Sequence, residues 1–161
     1  MKSNRSSGQV QGRGNLTVSK ALKSDDTLLR GLNEDLAAEW GTIIRYTFQS
    51  SKAYGLRGAE LREILQQEIS DELGHARFLT DVISDLGGEP TTRPREWDRV
   101  AELKPMLEQD LQMELQDVAN YSAHAKMAAE LGLTELKVKL ENMAADETRH
   151  ARDLSRILQG L

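Results

Sequence analysis

Apolar residues recur every three or four positions along four stretches of the chain, the spacing that lines one face of a helix. The first stretch runs from about 25 to 53 on the seam Leu29, Leu32, Leu36, Glu39, Ile43, Tyr46 and Ala53. The second, from about 58 to 86, follows Leu61, Leu65, Glu68, Glu72, His75, Leu79, Val82 and Leu86. The third, from about 104 to 130, follows Leu107, Leu111, Glu114, Val118, Tyr121, Ala125 and Ala128. The fourth, from about 134 to 159, follows Leu136, Leu140, Met143, Glu147, His150, Leu154, Ile157 and Leu161. Ser24 before Asp25 and Asp26 reads as an N-cap with acids in the first turn. Each seam is apolar except near its middle, where acids and histidines take positions meant for a core.

The connections predict the topology. Gly55 and Gly58 mark a short turn after the first helix, and Gly132 marks one after the third, so each pair folds as an antiparallel hairpin. Residues 87–103, GGEPTTRPREWDRVAEL, are long enough to recross the bundle. A helix of this size is about 42 Å long at 1.5 Å per residue, and about 17 extended residues span that distance. The expected fold is all-α: an antiparallel four-helix bundle over residues 25–161 with one long crossover between the second and third helices.

The interruptions of the seams repeat. DELGHARFL at 71–79 returns as DETRHARDL at 146–154. A shift of 75 also carries Asp35 to Asp110, Glu39 to Glu114 and Tyr46 to Tyr121. The chain therefore reads as two copies of one hairpin. Folding each about its turn brings Glu39 level with Glu72 and His75, and Glu114 level with Glu147 and His150. All six side chains should meet in one layer of the core.

Four ionised carboxylates in a dry layer would cost several kcal/mol each, and their repulsion adds to that. Two divalent cations remove the excess charge while both imidazoles stay neutral. Glutamate from two helices and Glu-x-x-His from two others is the ligand set of di-iron and di-manganese bundles. Carboxylates with two imidazoles suit redox-active iron or manganese. Tyr46 and Tyr121 lie two turns beyond Glu39 and Glu114 on the same face, where each can hydrogen-bond a bridging carboxylate or relay an electron; a core packing role fits them equally. Asp71 and Asp146 precede the paired glutamates and are placed to accept the second ring N–H of a liganding histidine. Glu68 and Asp117 flank the layer as extra ligands or supporting acids. His124 falls off the site face and is expected at the surface or an interface.

Composition narrows the chemistry. There is no cysteine, which excludes disulfides, thiolate metal sites and cysteine nucleophiles, and suits a cytoplasmic protein. No apolar run is long enough to span a bilayer. Residues 1–24 carry five of the 21 basic residues and no acidic one, so the rest of the chain holds 16 basic against 26 acidic residues. Three roles fit this basic tail: a solvating arm, a weak DNA-contacting arm, or a segment ordered in an oligomer interface.

Over residues 25–159 the chain resembles the ferritin-like superfamily, and bacterioferritins most of all. The resemblance is carried by LNEDLAAEWGTIIRY, with Glu39 and Tyr46, by DELGHA and DETRHA, and by DLQMEL with Glu114. It implies that Glu39, Glu72, His75, Glu114, Glu147 and His150 bind two iron ions per chain, with manganese as the alternative, and that Fe(II) is oxidised by O2 or H2O2 for storage or detoxification. It departs at Leu73, where bacterioferritins carry the haem methionine, so no haem is expected. Only 11 residues follow His150, too few for the family's fifth helix, and the expected assembly is a homo-oligomer, a dimer or larger. Two other readings remain: a rubrerythrin-like peroxidase or small oxidase fed by an external electron donor, and a DNA-binding or scaffolding bundle with structural metals.

Overall fold

The structure, a computed structural model, describes residues 26–161. The basic tail and the Ser24–Asp25 cap lie outside the described residues. Four helices follow in order: α1 (Asp26–Lys52), α2 (Gly55–Asp85), α3 (Leu103–Glu130) and α4 (Thr134–Gln159). α1 packs with α2 and α3 with α4 as two hairpins, and the hairpins join through α1 against α3 and α2 against α4. This is the four-helix bundle that the seams predict.

One boundary differs. α2 begins at Gly55, so only Ala53 and Tyr54 separate the first two helices. The tightness has a local cause. Arg62 of α2 donates to the carbonyls of Ser50 at 3.2 Å and Ala53 at 2.5 Å, capping acceptors at the end of α1 that a longer loop would leave to water. Gly58 lies inside α2 rather than in the turn, and a Cβ there would come within 2.6 Å of the Ala53 carbonyl carbon.

The crossover runs extended along α1 and in its direction. Thr91 N–H donates to Asn33 Oδ1 at 2.7 Å, and Arg95 N–H donates to the Ala37 carbonyl at 2.6 Å. Trp40 Nε1 donates to the Thr91 carbonyl at 3.2 Å, and the Trp97 ring meets Phe48 at 5.7 Å. The contact at Arg95 depends on Gly41, where a Cβ would sit 2.8 Å from the Arg95 carbonyl oxygen. The crossover delivers Arg95 to α3, where it forms a two-pronged ion pair with Asp117 at 2.6 and 2.7 Å.

Two apolar clusters fill the bundle. The larger contains Leu32, Leu36, Leu79, Ile83, Ala125 and Leu140. The smaller contains Tyr46, Ala53, Leu61, Leu65, Leu107 and Leu154. Burial of a single such leucine contributes roughly 1.5–3 kcal/mol. The layer of acids and histidines lies in the chain segments between these clusters. Among the described residues, no helix is long and apolar enough to cross a membrane.

Candidate metal centre

Glu39 sits on the buried face of α1, one turn after Leu36 and two before Tyr46, and Glu114 holds the equivalent place on α3. α2 supplies Glu72 and His75; α4 supplies Glu147 and His150. All six side chains are buried. They form two interlocking groups whose ligand atoms lie within 4.8 Å of one another: Glu39, Glu72, His75 and Glu147, then Glu72, Glu114, Glu147 and His150. Glu72 and Glu147 belong to both.

His75 Nδ1 lies 3.0 Å from Glu147 Oε1 and 3.5 Å from both Glu39 Oε1 and Glu72 Oε2. His150 Nδ1 lies 2.9 Å from Glu147 Oε2, 3.2 Å from Glu72 Oε1 and 3.9 Å from Glu114 Oε2. Both rings thus turn Nδ1 inward. Their outer nitrogens meet acids of the opposite hairpin: His75 Nε2 is 3.3 Å from Asp146 Oδ2, and His150 Nε2 is 3.6 Å from Asp71 Oδ2. Arg149 holds Asp71 at 2.7 Å.

The two tyrosines also cross between hairpins. Tyr46 donates to Glu114 Oε1 and Tyr121 donates to Glu39 Oε1. The carboxylates they hold are the two that belong to one group each, not the shared pair. Burial, reinforced by Glu114 beside Tyr46 and by Glu39 beside Tyr121, raises both phenol pKa values well above 10 and keeps both hydroxyls as donors.

Without a cation, the layer draws in protons. Burial and then the charge of Glu72 push Glu39 far above the ordinary carboxylate range, and the same two causes act on Glu114. Burial also acts upward on Glu72, but contacts with Glu39, His150 and His75 outweigh it and hold that carboxyl low. Burial lowers the imidazoles, yet the surrounding glutamates outweigh it: His75 is raised far above its usual range and His150 to about 11. Any cation entering here must displace these protons.

Orphaned atoms test whether a cation fits. Glu39 Oε2, Glu72 Oε1, Glu147 Oε1 and His75 Nδ1 are buried with no aligned hydrogen-bond partner. Such atoms are costly unless something binds them. Four carboxylates and two imidazoles around these orphans form a donor set suited to a pair of divalent ions.

Comparison with known proteins agrees with this geometry. Residues 29–161 match the model of the ferritin-like domain. The chain belongs to the ferritin-like family. It is 32% identical to a bacterioferritin of Mycobacterium leprae over 130 residues, covering 80% of this chain and 82% of that one. A ferritin-like, diiron-carboxylate protein from Bacillus anthracis superposes with a TM-score of 0.80 at 41% identity, over 86% of this chain and 97% of the other. The bacterioferritin of Mycobacterium tuberculosis superposes with a TM-score of 0.74 at 30% identity, over 84% and 86%.

Within this ferritin-like layer several side chains differ from the sequence expectation or were absent from it. His124 is not a surface residue: its Nδ1 lies 2.6 Å from Asp35 Oδ2 and its side chain is 13% exposed. Its pairing with Asp35 raises the imidazole pKa against the effect of burial. The Asp35/Asp110 repeat placed both acids one turn before a glutamate of the layer, so their burial was legible. Arg45 was not. Its guanidinium is fully buried, with Nε 3.0 Å from Asp110 Oδ1 and Nη2 3.1 Å from Glu114 Oε1. Glu68 is buried outside both groups with Oε2 unpartnered, and burial pushes it up to about 7 against the pull of His150. Asp117 is likewise outside both groups, pushed by burial to about 6 against the pull of Arg95. The residue after Glu72, Leu73, is 37% exposed.

Proposed function

We propose that this protein is a di-iron ferroxidase: it binds two Fe(II) ions per chain between Glu39, Glu72, His75, Glu114, Glu147 and His150, and passes their electrons to O2 or H2O2. The observation that carries the reading is the sharing of Glu72 and Glu147 between two groups that each add one imidazole and one further glutamate. Bound there, the iron pair supplies one electron per ion to the oxidant; manganese fits the same donors.

The remaining roles fall to the chain's own side chains. Glu72 and Glu147, the members common to both groups, would hold both ions. Glu39 and Glu114 would each hold one ion, and the phenols of Tyr121 and Tyr46 fix one oxygen of each carboxylate, leaving the other for the ion. Asp146 accepts from the Nε2–H of His75, while His150 Nε2 lies 3.2 Å from the Arg149 guanidinium that holds Asp71, so each ring keeps Nδ1 towards the layer. Burial excludes water and strengthens every charge interaction in the layer. The protons held by Glu39, Glu114 and the two histidines leave as the ions enter, so binding weakens as the pH falls.

The deciding experiment loads the protein with two equivalents of Fe(II) without oxygen, admits air and follows Fe(III) absorbance, then adds excess Fe(II). Rapid oxidation of two ions per chain is the expected result, and continued uptake of the excess into a soluble species assigns storage. Oxidation that stops at the bound pair, with catalytic peroxide consumption once a reductant is added, assigns the peroxidase instead. Binding of two ions with no oxidation faster than buffer contradicts the proposal.

A further inference from the structure

We propose that Arg45 makes the two metal positions unequal, so that ions fill the Glu39/His75 position before the Glu114/His150 position. The inference rests on the di-metal reading of the layer and adds a loading order to it.

Several contacts repeat between the two halves of the layer. Tyr46 and Tyr121, 75 residues apart, hold Glu114 and Glu39. Gln49 and His124, also 75 apart, hold Asp110 at 3.0 Å and Asp35 at 2.6 Å. The correspondence breaks at Glu68 and Arg149, whose counterparts are Met143 and Gly74, and at Arg45, which among the described residues is the arginine that bonds a glutamate of the layer. The counterpart of Arg45 is Asn120, partly exposed, whose Oδ1 accepts from Gln116 at 2.8 Å and which takes no part in the layer. Arg45 instead points inward. Nη1 donates to Met113 Sδ at 2.9 Å, and the guanidinium lies 4.8 Å over the Tyr46 ring. Among the described residues, no arginine or lysine pairs with Glu39.

The chemistry follows from that asymmetry. A guanidinium cannot shed its proton to relieve its charge. Arg45 and Tyr46 together occupy Glu114 Oε1, so the inward Oε2 is a single, electron-poorer donor beside a fixed positive charge. Glu39 Oε1 accepts the Tyr121 phenol and lies 3.5 Å from His75 Nδ1, an imidazole that gives up its charge when a cation binds, and Glu39 Oε2 is buried without a partner. Asp110 offsets part of the guanidinium charge, but it stands one turn before Glu114 on α3, whereas Arg45 touches the glutamate itself. In a poorly screened layer the nearer charge dominates. The two affinities should differ roughly tenfold or more, the scale of one charge-assisted hydrogen bond.

The test uses Mn(II), which binds without being oxidised under anaerobic conditions, and the full chain. Calorimetric titration of the wild type should resolve two sites separated at least about tenfold. Arg45→Gln, folded by circular dichroism, should bring the two affinities together, and Arg45→Lys should keep them apart. Crystals of the wild type soaked with one equivalent of Mn(II) should show the stronger anomalous signal at the Glu39/His75 position, which decides the order even if Arg45→Gln fails to fold. Equal affinities in the wild type, an unchanged separation in folded Arg45→Gln, or first occupancy at Glu114/His150 would overturn the inference while leaving two-metal binding intact. A wild type that binds fewer than two Mn(II) per chain would instead overturn the di-metal reading on which it rests.

Discussion

Leu36 and Glu39 stand one turn apart on the same buried face of α1, and different physics holds them there. Leu36 and its neighbours in the larger cluster leave water at a gain that needs no partner. Glu39 and its neighbours in the layer leave water at a cost, and only protons or cations can offset it. The apolar clusters therefore stabilise the bundle in any solution in which it folds. The polar layer stabilises or destabilises it according to what it binds. A fold that keeps such a layer between two sound cores has stability to spend on a site.

The largest expected effect removes the layer's shared members. Glu72→Ala combined with Glu147→Ala should reduce tightly bound divalent ions from a pair to none, read by titration calorimetry, and should abolish the rise in melting temperature that ions give the wild type. The apolar side of the comparison breaks differently. Leu36→Ala should cost about 2–5 kcal/mol in denaturant unfolding, by the same amount with and without metal. If that loss appears in only one of the two states, cluster and layer are not independent.

A subtler variant separates the two kinds of burial. Burial, and then the charge of Glu72, raise Glu39 well above the ordinary carboxylate range, which favours its protonated form in the metal-free protein. Glu39→Gln should then change metal-free stability by no more than about 1 kcal/mol, yet should erase much of the stabilisation that metal confers. Equal losses in both states would mean that Glu39 is ionised without metal.

The smallest effect is a pH trend with a definite sign. Glu68 titrates at about 7 in the folded chain against an ordinary 4.5, so the folded state holds the extra proton, and stability falls as pH rises through that window. His150, raised from 6.5 to about 11, contributes stability that is complete below 6.5 and is lost as pH climbs towards 11. The metal-free protein should therefore melt lower at pH 8.5 than at pH 5.5. Loading with metal should flatten or reverse the trend, because the ions replace those protons.

Much of this was legible in the chain because both clusters and layer lie on helical seams. The 3-and-4 spacing of leucines marked four helices, and acids on those seams marked the anomaly. The 75-residue repeat converted separate Glu-x-x-His motifs into one layer, since matched positions on two like hairpins must meet. What escaped was of another kind. Arg45 has no apolar period and no counterpart in the repeat, and a buried arginine shows itself only once Asp110 and Glu114 face it. His124 was misplaced because helix geometry alone turns it away from the site, whereas Asp35 on α1 draws it in. The crossing of Asp71 and Asp146 between hairpins depended on how the hairpins dock, which no single seam encodes.

The central claim is that this layer is a site for two cations rather than a cluster of buried, protonated acids. An anaerobic Fe(II) titration of the metal-free protein, with released protons counted in the same vessel, tests it most directly. The account predicts saturation at two ions per chain with protons released as the ions bind, and loss of both in the Glu72→Ala, Glu147→Ala protein. Saturation at any other number, or tight binding of two ions that survives in the double variant, would contradict it.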